Sequence, residues 1–109
     1  MNNIEIATKD LGKMNWYEAV EYCKKNTQWV LPTKEQLNYV YQNYFKNNQG
    51  NLKNDFYWTM DELSSQYAWS QNFNSGVFHY YTKMHKNNIR LIKNNGFQQL
   101  PSTEHRKFI

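Results

Sequence analysis

The sequence predicts an α+β fold in which two helices pack on a small antiparallel β meander, with no disulfide. Three observations predict it. Two amphipathic segments follow capping residues in the first half, ring-rich segments separated by turn residues fill the second, and Cys23 is the only cysteine. The 109 residues suit one compact domain, assigned to residues 1–93, followed by a basic C-terminal tail at residues 94–109.

Residues 4–7, Ile-Glu-Ile-Ala, alternate apolar and polar as a strand with one buried face does. Asp10-Leu11-Gly12 reads as a turn. Asn15 then caps a helix, and Glu18 three positions later completes a capping-box pattern. Trp16, Ala19, Val20 and Cys23 share one face of that helix, which Asn26 is expected to end in a left-handed conformation. Thr33 with Gln36 repeats the box, and Leu37, Val40, Tyr41 and Tyr44 form the apolar stripe of the second helix. Pro32 biases Leu31 toward an extended conformation, so residues 29–32 form a corner whose apolar side chains plug the angle between the helices.

Residues 46–55 are polar and read as a surface loop. Strands follow at residues 57–60, 67–73, 77–82 and 89–92, with Asn74-Ser75-Gly76 as a hairpin turn. Trp16, Leu37, Trp58 and Trp69 are expected to meet in one unstapled core.

Nineteen aromatic residues, 9 Tyr, 6 Phe and 4 Trp, exclude a disordered chain despite the mean hydropathy of −0.98. No run approaches the roughly 20 apolar residues of a spanning helix, and the N-terminus lacks the basic and apolar regions of a signal peptide. The chain is therefore expected in the bacterial host cytoplasm or in a virion, away from membranes. Its net charge of +4 is unevenly placed. From Lys83 onward there are six bases (Lys83, Lys86, Arg90, Lys93, Arg106, Lys107) against Glu104 alone. Such a segment suits nucleic acid, an acidic protein surface or an acidic glycan, or simply a solvated edge.

The segments MNWYEAVEYC, WVLPTKEQL, FYWTMDE, AWSQNFNSGVFHYY and NIRLIK, in this order, resemble bacterial C-type-lectin-like domains of the kind that ends a collagen-like adhesin. Formylglycine-generating and sulfatase-modifying domains are more distant relatives. MNWYEAVEYC matches the first helix, WVLPTKEQL the corner and second helix, FYWTMDE the first core strand, AWSQNFNSGVFHYY the hairpin and NIRLIK the closing strand. The resemblance spans residues 11–93. Family members often pair a first-helix cysteine with one in the last strand, and here Leu91 stands at that second position. The resemblance thus implies that packing replaces a covalent staple, in keeping with a reducing compartment.

The Glu-Pro-Asn, Gln-Pro-Asp and Trp-Asn-Asp motifs of calcium-dependent sugar binding are missing, and Asp61-Glu62 reads as a solvated loop or strand-end cap. One cysteine cannot supply the cysteine pair of formylglycine chemistry, and the spacing of Cys23 with Trp16 and Val20 marks a buried, inert thiol. His79 and His85 lack companions for a zinc set. Ser70, His79 and Asp61 match no nucleophile motif. The sequence predicts no enzyme, no metal and no cofactor.

Residues 77–86, VFHYYTKMHK, carry the functional signal. On a strand, Val77, His79 and Tyr81 face one side and Phe78, Tyr80 and Thr82 the other, so one ring set is less buried unless the helices and the tail cover both. Phe78, His79, Tyr80, Tyr81, Lys83, His85, Lys86 and Arg90 are the candidate partner-binding residues. The expected function is a non-enzymatic module binding another protein. A phage or mobile-element protein fits, acting on a host factor as an anti-defence inhibitor or serving in the virion. Nucleic-acid binding by the basic C-terminal third, with Phe78 and Tyr80 stacking, is the alternative, and calcium-independent glycan binding the second.

Overall fold

In the computed structural model, which describes residues 4–94, Asn15 and Thr33 open the two helices as their side chains predict. Helix α1 (Trp16–Lys25) starts where Asn15 accepts from the Glu18 N–H and Glu18 accepts from the Asn15 N–H, both at 2.9 Å. Helix α2 (Lys34–Asn43) starts with the same reciprocal pair between Thr33 and Gln36. Each box satisfies two otherwise orphaned helix-end donors. α1 buries Trp16, Ala19, Val20 and Cys23, and α2 buries Leu37 and Val40.

The strands do not form one antiparallel meander, although three consecutive ones run antiparallel side by side within a larger mixed sheet. The main sheet has five strands: β1 (Gly12–Met14), β3 (Phe56–Glu62), β4 (Tyr67–Asn72), β5 (Phe78–Thr82) and β6 (Asn87–Ile89). Their order is β1-β6-β3-β4-β5, and β6 pairs with β3 in parallel. A second, two-stranded sheet joins β2 (Trp29–Val30) to β7 (Ile92–Lys93). The expected C-type-lectin-like arrangement, two helices on an antiparallel meander, is overturned by this mixed sheet. The physical reason lies after β5. The chain crosses β3 and β4 to add β6 on their far side, where β1 pairs with it through Gly12 opposite Ile89 and Met14 opposite Asn87. Gly12, expected in a turn, is thus in a strand. Residues 4–7 contribute only a bridge from Ile6 to Ile92.

The two helices lie on opposite faces of this sheet. Neighbours on a strand point to opposite sides, and Trp58 packs with α1 residues while Tyr57 packs with α2 residues. The interior is therefore divided by the sheet. Trp16 and Trp58 share one cluster with Cys23, Leu31, Ile89 and Leu91, whereas Leu37 belongs to the other with Tyr57, Phe73 and Ile92. Trp69 enters neither. The expected single core of four residues does not form, because a sheet with a helix on each side cannot place them together. Both indoles are anchored: Trp16 donates to the Thr59 carbonyl and Trp58 to the Met14 carbonyl, each at 3.0 Å.

The corner between the helices serves both layers. Val30 faces the α2 cluster and Leu31 the α1 cluster, while Pro32 accepts from the Met60 N–H at 2.8 Å. Cys23 and Leu91 occupy the same apolar cluster. Asn26 ends α1 at φ −126°, not in the left-handed region, and its side-chain amide donates to the Tyr22 carbonyl. Left-handed asparagines occur instead at Asn48 and Asn51, in the polar loop ahead of β3.

Candidate functional site

β5 is the last strand of the main sheet, and among the described residues only β4 pairs with it. The hairpin that delivers it turns through residues 73–76. Asn72 accepts from the Asn74 N–H through its side chain and from the Gly76 N–H through its carbonyl. Gly76 has φ +83°, and a Cβ there would lie 2.7 Å from the Tyr41 ring, so both conformation and space require glycine.

The register sets Gln71 opposite Phe78, Trp69 opposite Tyr80 and Tyr67 opposite Thr82. Asn72 N–H donates to Val77 O at one end of the pair, and Lys83 N–H to Gln66 O at the other. Backbone groups alternate in direction along a strand, so residues 77, 79, 81 and 83 point theirs toward β4. Those of Phe78, Tyr80 and Thr82 point outward. The Thr82 carbonyl is taken by the His85 N–H, which leaves the remaining outward groups on an unpaired edge among the described residues.

Rings flank this edge on both faces. On the α2 side Tyr80 lies edge-to-face against Trp69 at 5.4 Å and Tyr67 at 5.7 Å. Lys34 Nζ sits 4.1 Å from the Trp69 centroid and 5.0 Å from that of Phe78. Lys34 is placed by the start of α2, where its N–H donates to Asp61 Oδ2 at 2.7 Å. On the α1 side Phe56 contacts His79 and Tyr81, and Tyr81 stacks on His85 at 4.5 Å. Tyr80 is 54% exposed, Tyr67 39% and Met84 65%.

Of the eight residues singled out in the sequence, six line this edge or the turn after it. His79, Tyr80, His85 and Lys86 are exposed, and Phe78 and Tyr81 are half-buried. Lys83 and Arg90 are corrections: both are buried and neither offers a surface charge. Lys83 pairs with Glu62, donates to the Ser65 carbonyl and lies 4.4 Å over the Trp16 ring. Arg90 pairs with Asp10 and donates to the Ala7, Gly50 and Asn51 carbonyls. Sequence reasoning missed Tyr67, Trp69 and Lys34. The first two were within reach, because the turn at Asn74-Ser75-Gly76 fixes which β4 residues oppose β5. Lys34 was not, since it arrives from another layer.

The other candidate groups are committed to structure. Ser70 Oγ donates to the His79 carbonyl rather than meeting its ring. Burial pushes the Cys23 thiol up to about 11 against the opposing pull of a Leu31 backbone hydrogen bond, and at neutral pH it is protonated. Among the described residues no three His, Cys, Asp or Glu side chains gather as a metal site, and no helix is long and apolar enough to cross a membrane. Arg106 and Lys107, with the rest of the basic tail beyond Asn94, lie outside the described residues. No family model and no curated protein matches the chain.

Proposed function

We propose that the chain is a non-enzymatic recognition module that takes a protein partner at the β5 edge and its flanking rings. The supporting observation is the outward row of backbone groups on β5, bordered by exposed Tyr67 and Tyr80 on one face and His79 and His85 on the other. Exposed tyrosine at the centre of a patch is the usual anchor of a protein interface, because it buries much area at little entropic cost. The nucleic-acid reading draws on the basic C-terminal third, and of its four described bases Lys83 and Arg90 are held in buried ion pairs.

The test is affinity capture from the natural host with the wild-type chain and with Tyr67→Ala/Tyr80→Ala. Both positions are exposed, so the variant should unfold within about 1 kcal/mol of wild type. A stoichiometric protein held by the wild type and lost by the variant supports the reading. Equal capture by both, or no protein captured, overturns it. Single-stranded DNA bound with affinity falling steeply in salt would favour nucleic acid instead.

A further inference from the structure

We infer that the partner enters as an extended, acidic segment that adds to β5 as a sixth strand of the main sheet. This rests on the recognition reading and names the form of its ligand. The first support is the edge itself. Sheets protect terminal strands with charged residues, proline, glycine bulges or a covering element. β5, Phe-His-Tyr-Tyr-Thr, has no charged residue, no proline and no glycine, and among the described residues nothing pairs with its outer side.

The second support is that the open groups form a usable ladder. The N–H and carbonyl of Phe78 and Tyr80 and the N–H of Thr82 point outward at every second residue, the spacing at which an added strand bonds. An added strand would send alternate side chains to the two faces. One row would lie beside Phe78, Tyr80 and Thr82, and the other beside His79 and Tyr81.

The third support is charge, and it selects the occupant. From Leu63 to Asn94 the chain has no aspartate or glutamate. Of the two acids just before that stretch, Glu62 is paired with Lys83 and Asp61 accepts from the Lys34 N–H. Lys34 stands over the Phe78 end of the strand, and exposed Lys86 follows its Thr82 end. A second copy of the chain would bring a β5 strand and following turn that themselves carry no acid, together with the same Lys34 and Lys86, whereas an acidic strand would meet those two cations with opposite charge.

The experiment uses the full-length, isotope-labelled chain and amide exchange read by NMR. The probes are a capped octapeptide alternating valine with aspartate or glutamate, its lysine counterpart, and the acidic peptide N-methylated at alternate residues. In the free chain the amides of His79 and Tyr81 should exchange slowly and those of Phe78, Tyr80 and Thr82 fast. The acidic peptide should slow the latter three by about tenfold or more while leaving β1 unchanged. The lysine and N-methylated peptides should bind about tenfold more weakly or not at all, and Lys34→Glu should reverse the preference between acidic and basic peptides.

Slow exchange of the three amides in the free chain at every concentration would mean that the chain's own residues cover the edge, and concentration-dependent slowing would mean a second copy. Either overturns the inference, as does an acidic peptide that fails to bind. An acidic peptide that shifts Tyr67 and Tyr80 without protecting the three amides removes the sixth strand and leaves the recognition reading standing. That reading falls separately, when the tyrosine double variant captures its partner as well as wild type.

Discussion

Arg90 Nε donates to Asp10 Oδ1 at 3.0 Å across 80 residues of sequence, with both side chains almost fully buried. Tyr57 adds a hydroxyl donor to the same carboxylate at 3.0 Å, and Lys53 a surface ion pair. The remaining Arg90 donors reach the carbonyls of Ala7, Gly50 and Asn51, so one guanidinium ties the start of the chain, the loop before β3 and the segment after β6 together. Its fixed fork suits this use in a way a lysine cannot match.

Asp10→Ala should therefore cost about 3–5 kcal/mol, because it leaves a buried guanidinium without its counter-charge. Urea unfolding of the variant measures the loss. A change below about 1 kcal/mol would contradict a buried pair and suit an exposed one.

Lys83 and Lys86 stand three residues apart in the sequence and should behave oppositely. Lys83→Ala removes the buried partner of Glu62 and a cation over Trp16, an expected loss of about 3–5 kcal/mol. Lys86→Ala at an exposed turn should stay within about 0.5 kcal/mol of wild type. Thermal unfolding of the two variants side by side decides it.

Gly76→Ala should destabilise by about 1–3 kcal/mol, since the residue sits at positive φ and its Cβ would press on the Tyr41 ring. Truncating that ring should recover part of the loss by relieving the contact, though not the backbone strain. A double-mutant cycle with Tyr41→Ala separates the two terms.

Cys23 should resist a thiol reagent in the native chain and react at once in denaturant. Its thiol is raised from 9.0 to about 11 by burial, so the folded state favours the protonated form. That contribution is complete below pH 9 and is lost as pH rises toward 11, and unfolding in that window should become easier. Cys23→Ala should flatten this part of the stability profile; an unchanged alkaline slope would assign it elsewhere. Tyr57, raised chiefly by burial and also by Asp10, would contribute at still higher pH.

Local chemistry was legible wherever a few neighbouring residues decide the conformation. Both capping boxes, the buried face of α1, the Asn74-Ser75-Gly76 turn and the aromatic strand after it follow from short-range hydrogen bonding and periodicity. The charges of Lys83 and Arg90 misled, because a sequence shows that a residue is cationic and not that an acid 21 or 80 residues earlier will meet it.

Two helices, their caps and a ring-rich hairpin were written into the order of the residues, since each is stabilised by contacts within a few positions of itself. Strand order, the helices' placement on opposite faces and the outer side of β5, left open among the described residues, were not, for they depend on where β6 inserts after the chain reverses. Pairing between distant segments is settled by which arrangement buries the most apolar surface at once, and alternation along a single strand carries no record of its neighbours.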